Sequence, residues 1–244
     1  MSESRNALIF RGGWDGHEPV QVSEIFGEIL ENKGYNVEIY DTQDCLDDVA
    51  RLRSLDIIIP IWTMGEIEHQ RCLNVVEAVN SGVGLVGCHG GMCDAFRTST
   101  LWQFMTGGQW VAHPGGDGIR YRVKIIDDKD SILYGMEDFD VCSEQYYMLV
   151  DPAVKVLATM NMPVMYSPNS LNGSFEMPVA WTKNFGYGRI FYTSVGHHAD
   201  IFDIPQAKEM IDRGIDYAQY GKDLSTRFGW NETSLTGEQI AGGL

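Results

Sequence analysis

Five of the six histidines in the sequence lie in loops beside glycines or aromatic residues: His17, His89, His113, His197 and His198. Neutral imidazole is the commonest metal ligand, and three nitrogen or oxygen donors that leave one position open make a catalytic zinc or similar site. A single loop histidine is more often a hydrogen-bonded structural residue, but five that converge favour a metal. His69 differs, because its place early in a predicted helix beside Glu68 is typical of a solvated surface residue.

The predicted ligands of a divalent metal, with zinc favoured, are His17, His113, His197 and Glu144. His113 lies in a glycine-flanked loop that could approach a ligand closely. Glu144 lies in an apolar and aromatic segment, where a buried acid must be paired or bind a metal. The alternative for Glu144 is a surface position on a half-buried strand. His197 and His198 are adjacent, and we favour His197 as the one that faces the site, with His198 as the alternative. The sequence has no His-Glu-x-x-His motif, so the prediction depends on the whole set of residues.

A glycine-rich turn places His89 where several α/β enzymes carry their nucleophile. The segment 87–91 reads Gly-Cys-His-Gly-Gly, which has the spacing of a nucleophile elbow with small residues around a strained apex. An imidazole at the apex predicts proton transfer or substrate contact by His89. Neighbouring side chains point in different directions, so Cys88 is expected to pack inward. A thiol hydrolase that uses Cys88 or Cys93 is a competing interpretation.

The predicted catalytic residues are His89, Glu144 and Asp94. Asp94 follows the elbow by about one helical turn and could orient an imidazole or contact a sugar hydroxyl. Alternatively, it is an ordinary acidic residue in a first helical turn, where the helix dipole favours it. Arg97 could neutralise this carboxylate. The predicted substrate contacts are Trp14, Trp110, Tyr146 and Arg97, because aromatic faces beside polar groups suit carbohydrate rings, although aromatic residues are more common in cores.

The elements that position these residues alternate along the first half of the chain. Strands are predicted over 7–11, 36–40, 56–62 and 84–88, and helices over 20–33, 46–52 and 68–80. This alternation predicts a doubly wound parallel sheet. Ligands bind such sheets outside the carboxyl ends of the strands, so the loops 14–17, 62–66 and 89–94 are expected to border one crevice.

The second half of the chain has a different pattern. Strands with short connections are predicted over 121–126, 142–149, 154–160, 179–183 and 189–194, with a hairpin connection at 184–188. A helix over 205–220 ends the fold. We therefore predict one domain over 1–220 and a polar tail over 221–244.

Composition excludes several classes of protein. The chain has 244 residues, a formal net charge of -16 and 5 cysteines. Such an acidic chain is a poor nucleic-acid binder, because that affinity depends on lysine and arginine. The sequence shows no signal peptide and no apolar run of about 20 residues that would cross a membrane. An odd number of cysteines without a Cys-x-x-Cys pair indicates reduced thiols, so we expect a cytoplasmic protein. The tail and the aromatic residues permit a homo-oligomer.

The sequence resembles the trehalose utilisation (ThuA-like) family, whose fold is similar to that of class I glutamine amidotransferases, over about residues 6–220. The resemblance depends on 16–17 (GH), 86–91 (VGCHGG), 104–116 (FMTGGQWVAHPGG), 144–147 (EQYY), 178–181 (PVAW), 186–192 (GYGRIFY) and 196–197 (GH). It implies a flavodoxin-like three-layer α/β/α sandwich, with a mostly parallel sheet and an added antiparallel C-terminal portion. His89 replaces the amidotransferase cysteine, so glutaminase activity is not implied.

The family resemblance also implies a role in sugar catabolism, often with oxidised keto disaccharides. Combined with the histidines, it predicts a metal-assisted enzyme that acts on a sugar or ketosugar by hydrolysis, isomerisation or related proton transfer. The metal would polarise an oxygen or activate water, and Glu144 or His89 would move the proton. The alternative is a non-catalytic sugar-binding or regulatory module on the same scaffold.

Overall fold

Alternating apolar runs and amphipathic segments build a central sheet covered by helices. The computed structural model describes residues 5–129, 131–162, 168–229 and 235–242. The strands are β1 (Arg5–Gly13), β2 (Tyr35–Tyr40), β3 (Ile57–Thr63), β4 (Gly84–Cys88), β5 (Gly108–Ala112), β6 (Ile119–Ile125), β7 (Phe139–Ser143), β8 (Tyr147–Val150), β9 (Lys155–Met162), β10 (Phe175–Phe185) and β11 (Gly188–Thr193). The helices are α1 (Pro19–Asn32), α2 (Val49–Ser54), α3 (His69–Asn80), α4 (Gly90–Cys93), α5 (Thr100–Thr106), α6 (Pro205–Phe228) and α7 (Gly237–Gly242).

The described residues form one sheet of nine strands in the order β2-β1-β3-β4-β11-β10-β9-β6-β7, and β5 pairs with β8 separately. The first five strands in this order run parallel to one another. The other four strands run antiparallel to their neighbours. The prediction of an α/β fold with a mostly parallel sheet and an added antiparallel portion is confirmed.

Helices cover both faces of the parallel strands. The connection from β1 through α1 to β2 runs toward one edge, and that from β3 through α3 to β4 runs toward the other. Right-handed crossovers therefore place α1 and α3 on opposite faces. Helix α6 packs on β4 and β11, and the Lys33 ammonium at the end of α1 pairs with Asp212 and Asp216 of α6 at 3.0 and 2.8 Å. The predicted three-layer sandwich is confirmed.

Strand β11 joins the two halves of the sheet. It forms the predicted hairpin with β10, where Phe185 pairs with Gly188. On its other side it runs parallel to β4, with Thr193 beside Cys88. The loop that follows β11 therefore lies next to the loop that follows β4, at the carboxyl ends of both strands.

The prediction of a single strand over 142–149 is wrong. Strand β7 ends at Ser143 in the large sheet, and β8 begins at Tyr147 and pairs instead with β5, a strand that the sequence did not predict. The residues between them, 144–146, are outside both ladders and are buried. This break allows the Glu144 side chain to leave the sheet and enter the interior.

The last long helix continues beyond its predicted end at Tyr220 to Phe228. Gly221 lies inside the helix, where its missing side chain permits a close approach: a Cβ there would lie 2.7 Å from the Tyr187 carbonyl oxygen. The glycine is thus a packing residue rather than a terminator. No helix within the described ranges is long and apolar enough to cross a membrane.

Candidate metal centre

Four buried side chains meet at the carboxyl edge of the parallel sheet. His17, His89 and His197 follow β1, β4 and β11, the edge at which this class of sheet binds ligands. Glu144 reaches the same point from the break between β7 and β8. We call these four residues the histidine–glutamate cluster. Each of them is less than a tenth exposed.

One nitrogen or oxygen atom from each member faces a common point, and these four atoms all lie within 4.8 Å of one another. Glu144 Oε2 is 3.2 Å from His89 Nε2, 3.2 Å from His197 Nδ1 and 3.8 Å from His17 Nε2. The distance between His89 Nε2 and His197 Nδ1 is also 3.2 Å. Ligand atoms about 2.0 Å from a tetrahedral zinc are about 3.3 Å apart, so the cluster could hold one metal ion.

The outward-facing nitrogens of two histidines are held by neighbouring strands. His89 Nδ1 is 2.8 Å from the Ser194 carbonyl oxygen, and His17 Nδ1 is 2.9 Å from Thr63 Oγ1. A carbonyl oxygen only accepts hydrogen bonds, so His89 carries its proton on Nδ1 and donates it to Ser194. In the neutral imidazole the lone pair of His89 Nε2 is therefore directed into the cluster, as in metal-binding histidines oriented by a backbone carbonyl.

The charge states of His89 and Glu144 leave two electron-rich atoms in contact. Burial lowers the pKa of His89 to about 3, although Glu144 opposes this shift. Burial alone would raise the pKa of Glu144, but hydrogen bonds from neighbouring histidines, first His17 and then His197, outweigh burial and hold that pKa far below its usual range. A neutral imidazole lone pair thus faces an ionised carboxylate, an arrangement that a cation between them would stabilise.

The elbow holds His89 in a strained conformation, with φ 49° and ψ -128°. Its N–H donates to the Thr193 carbonyl at 2.7 Å, and its carbonyl accepts from the Tyr192 hydroxyl at 2.8 Å. The imidazole stacks on the Tyr146 ring with centroids 3.9 Å apart. Because Tyr146 is only 1% exposed, it supports His89 from the interior and offers no open face to a substrate.

The two cysteines near the elbow lack the properties of a thiolate nucleophile. Cys88 and Cys93 are both buried. Burial raises the pKa of Cys88 to about 12 and also raises that of Cys93 well above its ordinary value. Both remain protonated thiols at neutral pH, which argues against the thiol hydrolase interpretation.

His113 lies at the rim of the cluster. Its Nδ1 is 3.6 Å from Glu144 Oε1, its side chain is 41% exposed, and it is outside the four-atom group. The Trp110 ring stacks on His113 with centroids 5.4 Å apart, and the Arg97 guanidinium lies 4.3 Å from the Trp110 centroid. Arg97 also donates to the buried Asp94 carboxylate at 2.5 and 3.0 Å. Burial raises the pKa of Asp94, although Arg97 opposes this shift.

Trp14 and His198 also lie around the cluster. Trp14 is 46% exposed, and its ring meets the edge of His17 with centroids 4.7 Å apart. His198 is half-buried and lies between two carboxylates, 3.6 Å from Glu18 and 3.5 Å from Asp117. Of the adjacent pair, His197 is therefore the member whose ring enters the cluster. His69 is exposed at the start of α3.

The sequence model of the ThuA family, described as trehalose utilisation, matches residues 6–218. This chain belongs to the ThuA family. No curated protein sequence matches it.

The fold of this ThuA protein is shared by solved structures at low sequence identity. A ThuA-like protein from Bacteroides uniformis is 16% identical, with a TM-score of 0.69, over 89% of this chain and 93% of the other. A ThuA-like protein from Parabacteroides merdae is 18% identical, with a TM-score of 0.67, over 90% and 91%. A glutamine amidotransferase from Thermotoga maritima is 9% identical, with a TM-score of 0.51, over 92% and 93%. These likenesses confirm the predicted amidotransferase-like fold.

Several residues that contact the centre of this ThuA protein were not predicted from the sequence. Thr63 is the polar residue that ends the apolar strand β3, which could have marked it. Asp117 lies between two glycines, which is a weaker sign of a functional residue. The Ser194 contact is made by a backbone carbonyl, and a backbone contact leaves no trace in residue type.

Proposed function

We propose that this ThuA protein is a metal-dependent enzyme that acts on a sugar or a ketosugar, with the metal held by the histidine–glutamate cluster. One observation carries the proposal: His17, His89, His197 and Glu144 are buried, and one nitrogen or oxygen atom of each lies within 4.8 Å of the other three. Within this group His89 Nε2 and Glu144 Oε2 are 3.2 Å apart, a contact that either a cation between the two atoms or a proton would make favourable. Burial disfavours the proton, because it depresses the pKa of His89.

The donor set of three imidazole nitrogens and one carboxylate oxygen suits zinc and also accepts manganese or iron. Zinc remains the ion that we favour. To act on a substrate, such an ion would need one further position beyond these four ligands, and with it the ion would polarise a carbonyl or hydroxyl oxygen or activate a water molecule.

The rim residues have separate roles in this proposal. With His89 among the ligands, His113 is the imidazole placed to exchange protons between Glu144 and solvent, since it is half-exposed and 3.6 Å from Glu144 Oε1. The exposed ring of Trp14 offers an apolar surface to a sugar ring. Arg97, held by Asp94, offers a charged donor to sugar oxygens.

Metal analysis of the purified protein tests the proposal first. We expect about one equivalent of a divalent transition metal in the wild-type protein and in His69→Ala, which removes an exposed histidine outside the cluster. We expect its loss in His17→Ala and His89→Ala. A wild-type protein that neither contains such a metal nor takes one up on addition would refute the proposal.

Substrate tests then separate catalysis from binding. Disaccharides and their keto derivatives, followed by NMR, should be consumed by the metal-loaded protein and left intact after chelation. Sugar binding without any consumption would support the sugar-binding module instead. Cys88→Ser and Cys93→Ser should keep full activity, and a loss in either variant without loss of metal would revive the thiol hydrolase interpretation.

A further inference from the structure

Glu18 directly follows His17 and has an unusual backbone conformation. Its φ of 48° and ψ of 51° lie in the left-handed region. Among the described non-glycine residues, only Met64, His89 and Phe96 also have a positive φ. Glycine or asparagine adopts this region more readily than glutamate. A glutamate at this position therefore points to a role for its side chain.

The Glu18 carboxylate reaches across to the loop that follows β11. Its Oε2 accepts a hydrogen bond from the Ala199 N–H at 2.8 Å, and its Oε1 is 3.6 Å from His198 Nδ1. Although Glu18 occupies the N-cap position of α1, its side chain makes no capping hydrogen bond to that helix in the described chain. The carboxylate thus serves the neighbouring loop rather than its own helix.

This contact joins two loops that the sheet keeps apart. Strands β1 and β11 are separated by β3 and β4 in the sheet order, so no ladder connects them. Strands lie about 4.8 Å apart, which puts β1 and β11 about 14 Å from each other. Yet the rings of His17 and His197, which follow these strands, have centroids only 5.0 Å apart. Glu18 is one residue from the first histidine, and Ala199 is two residues from the second.

We infer that Glu18 is a positioning residue that sets the spacing between His17 and His197. It acts through its hydrogen bond from the Ala199 N–H, and it fixes the two outer loops of the centre relative to each other. The inference deepens the proposed function and rests on it for the identity of the bound group, a divalent metal ion. The left-handed backbone of Glu18 directs its carboxylate toward the loop that contains Ala199.

The test compares Glu18→Ala, Glu18→Gln and the control Glu28→Ala, which removes an exposed glutamate from the same helix. We expect Glu18→Ala to weaken Zn²⁺ binding about 10- to 100-fold and to alter the visible spectrum of bound Co²⁺, as changes to residues that orient ligands do. Glu18→Gln should restore most of the affinity, because its amide oxygen still accepts from Ala199. The control should behave as wild type.

Hydrogen exchange of the Ala199 amide supplies a readout that needs no metal. It should be faster in Glu18→Ala than in wild type and little changed in Glu18→Gln. Wild-type Zn²⁺ affinity, Co²⁺ spectrum and Ala199 exchange in Glu18→Ala would overturn the inference. If the wild-type protein binds no metal, the proposed function fails. The Ala199 exchange and the His17–His197 spacing in a crystal structure of Glu18→Ala then decide whether Glu18 positions the two loops.

Discussion

The contact between His89 and Glu144 is the electrostatic feature of this protein that bears most directly on metal binding. The Ser194 carbonyl fixes the proton of His89 on Nδ1, so its other nitrogen meets Glu144 Oε2 as a lone pair. In water this pairing would be relieved by solvation. In the buried cluster it remains, while the hydrogen bonds that hold the pKa of Glu144 low keep the carboxylate ionised beside it.

Glu144→Gln should therefore lower the stability of the protein mainly when metal is bound. In the metal-free protein the introduced amide can donate to the His89 lone pair, but it no longer offers His17 and His197 a charged acceptor, so the two changes offset each other to within about 1 kcal/mol. With Zn²⁺ present, the wild type should be clearly the more stable protein, since the variant loses a charged ligand. Thermal unfolding of both proteins, with and without Zn²⁺, measures this difference. A variant that gains as much stability from Zn²⁺ as the wild type would contradict the assignment of Glu144 as a ligand.

Gly90 allows His17 to approach the elbow. A Cβ at position 90 would lie 2.4 Å from His17 Nδ1 and 2.5 Å from Thr63 Oγ1. The φ of Gly90 is not in the left-handed region, so lack of space rather than backbone conformation requires glycine here. Gly90→Ala should displace His17, cost about 1 to 3 kcal/mol from overpacking, and reduce metal content. Gly27→Ala is the matched control, because its Cβ would meet only Ile39 at 3.7 Å. Full metal content and wild-type stability in Gly90→Ala would contradict the requirement for glycine beside His17.

At the level of elements, the position of β11 between β4 and β10 brings the His197 loop to the elbow. Helix α6 holds this arrangement from one face, through small residues that let the helix lie close to β4 and β11. A Cβ at Gly214 would lie 2.3 Å from the Phe191 ring of β11, and one at Gly84 of β4 would lie 2.7 Å from Ala218 of the helix. Close packing by small residues is therefore what seats the helix on these two strands.

Gly214→Ala should accordingly destabilise the protein even though alanine favours helices. Helix propensity contributes about 1 kcal/mol in favour of alanine, but the overlap with Phe191 should outweigh it and leave a net loss of about 1 to 3 kcal/mol. For a chain of this size that loss lowers Tm by about 2 to 12 °C. Lys208→Ala, at an exposed position of the same helix, should leave Tm nearly unchanged. A Tm of Gly214→Ala equal to or above that of wild type would contradict this packing.

For the whole molecule, the centre links loops from distant parts of the chain, so a bound metal should stabilise the global fold. An ion present at 100 times its Kd adds about 2.7 kcal/mol to the free energy of unfolding. Removal of the metal by chelation should then lower Tm by about 5 to 11 °C, and re-addition should restore it. Scanning calorimetry of the native, chelated and reloaded protein measures this shift. An unchanged Tm after verified metal removal would place the ion outside the folded core.

Much of the architecture follows from local patterns in the sequence. Apolar runs separated by amphipathic segments predict the parallel strands, because burial on both faces demands continuous apolar residues. His17, His89 and His197 each follow such a run, and parallel strands end at one edge, so their common location was predictable. The glycines around His89 likewise predict the strained turn.

The sequence by itself therefore determined the fold class and the edge of the sheet that carries the centre. Only the tertiary structure decided the membership of the centre: His89 faces Glu144, whereas His113 lies at the rim. It also decided that the chain breaks between β7 and β8 to bury Glu144 and that β11 inserts beside β4. These outcomes depend on contacts between residues far apart in the chain, such as His89 and Ser194, which are 105 positions apart. Local periodicity encodes which face of an element is buried, but it does not encode which distant element covers that face.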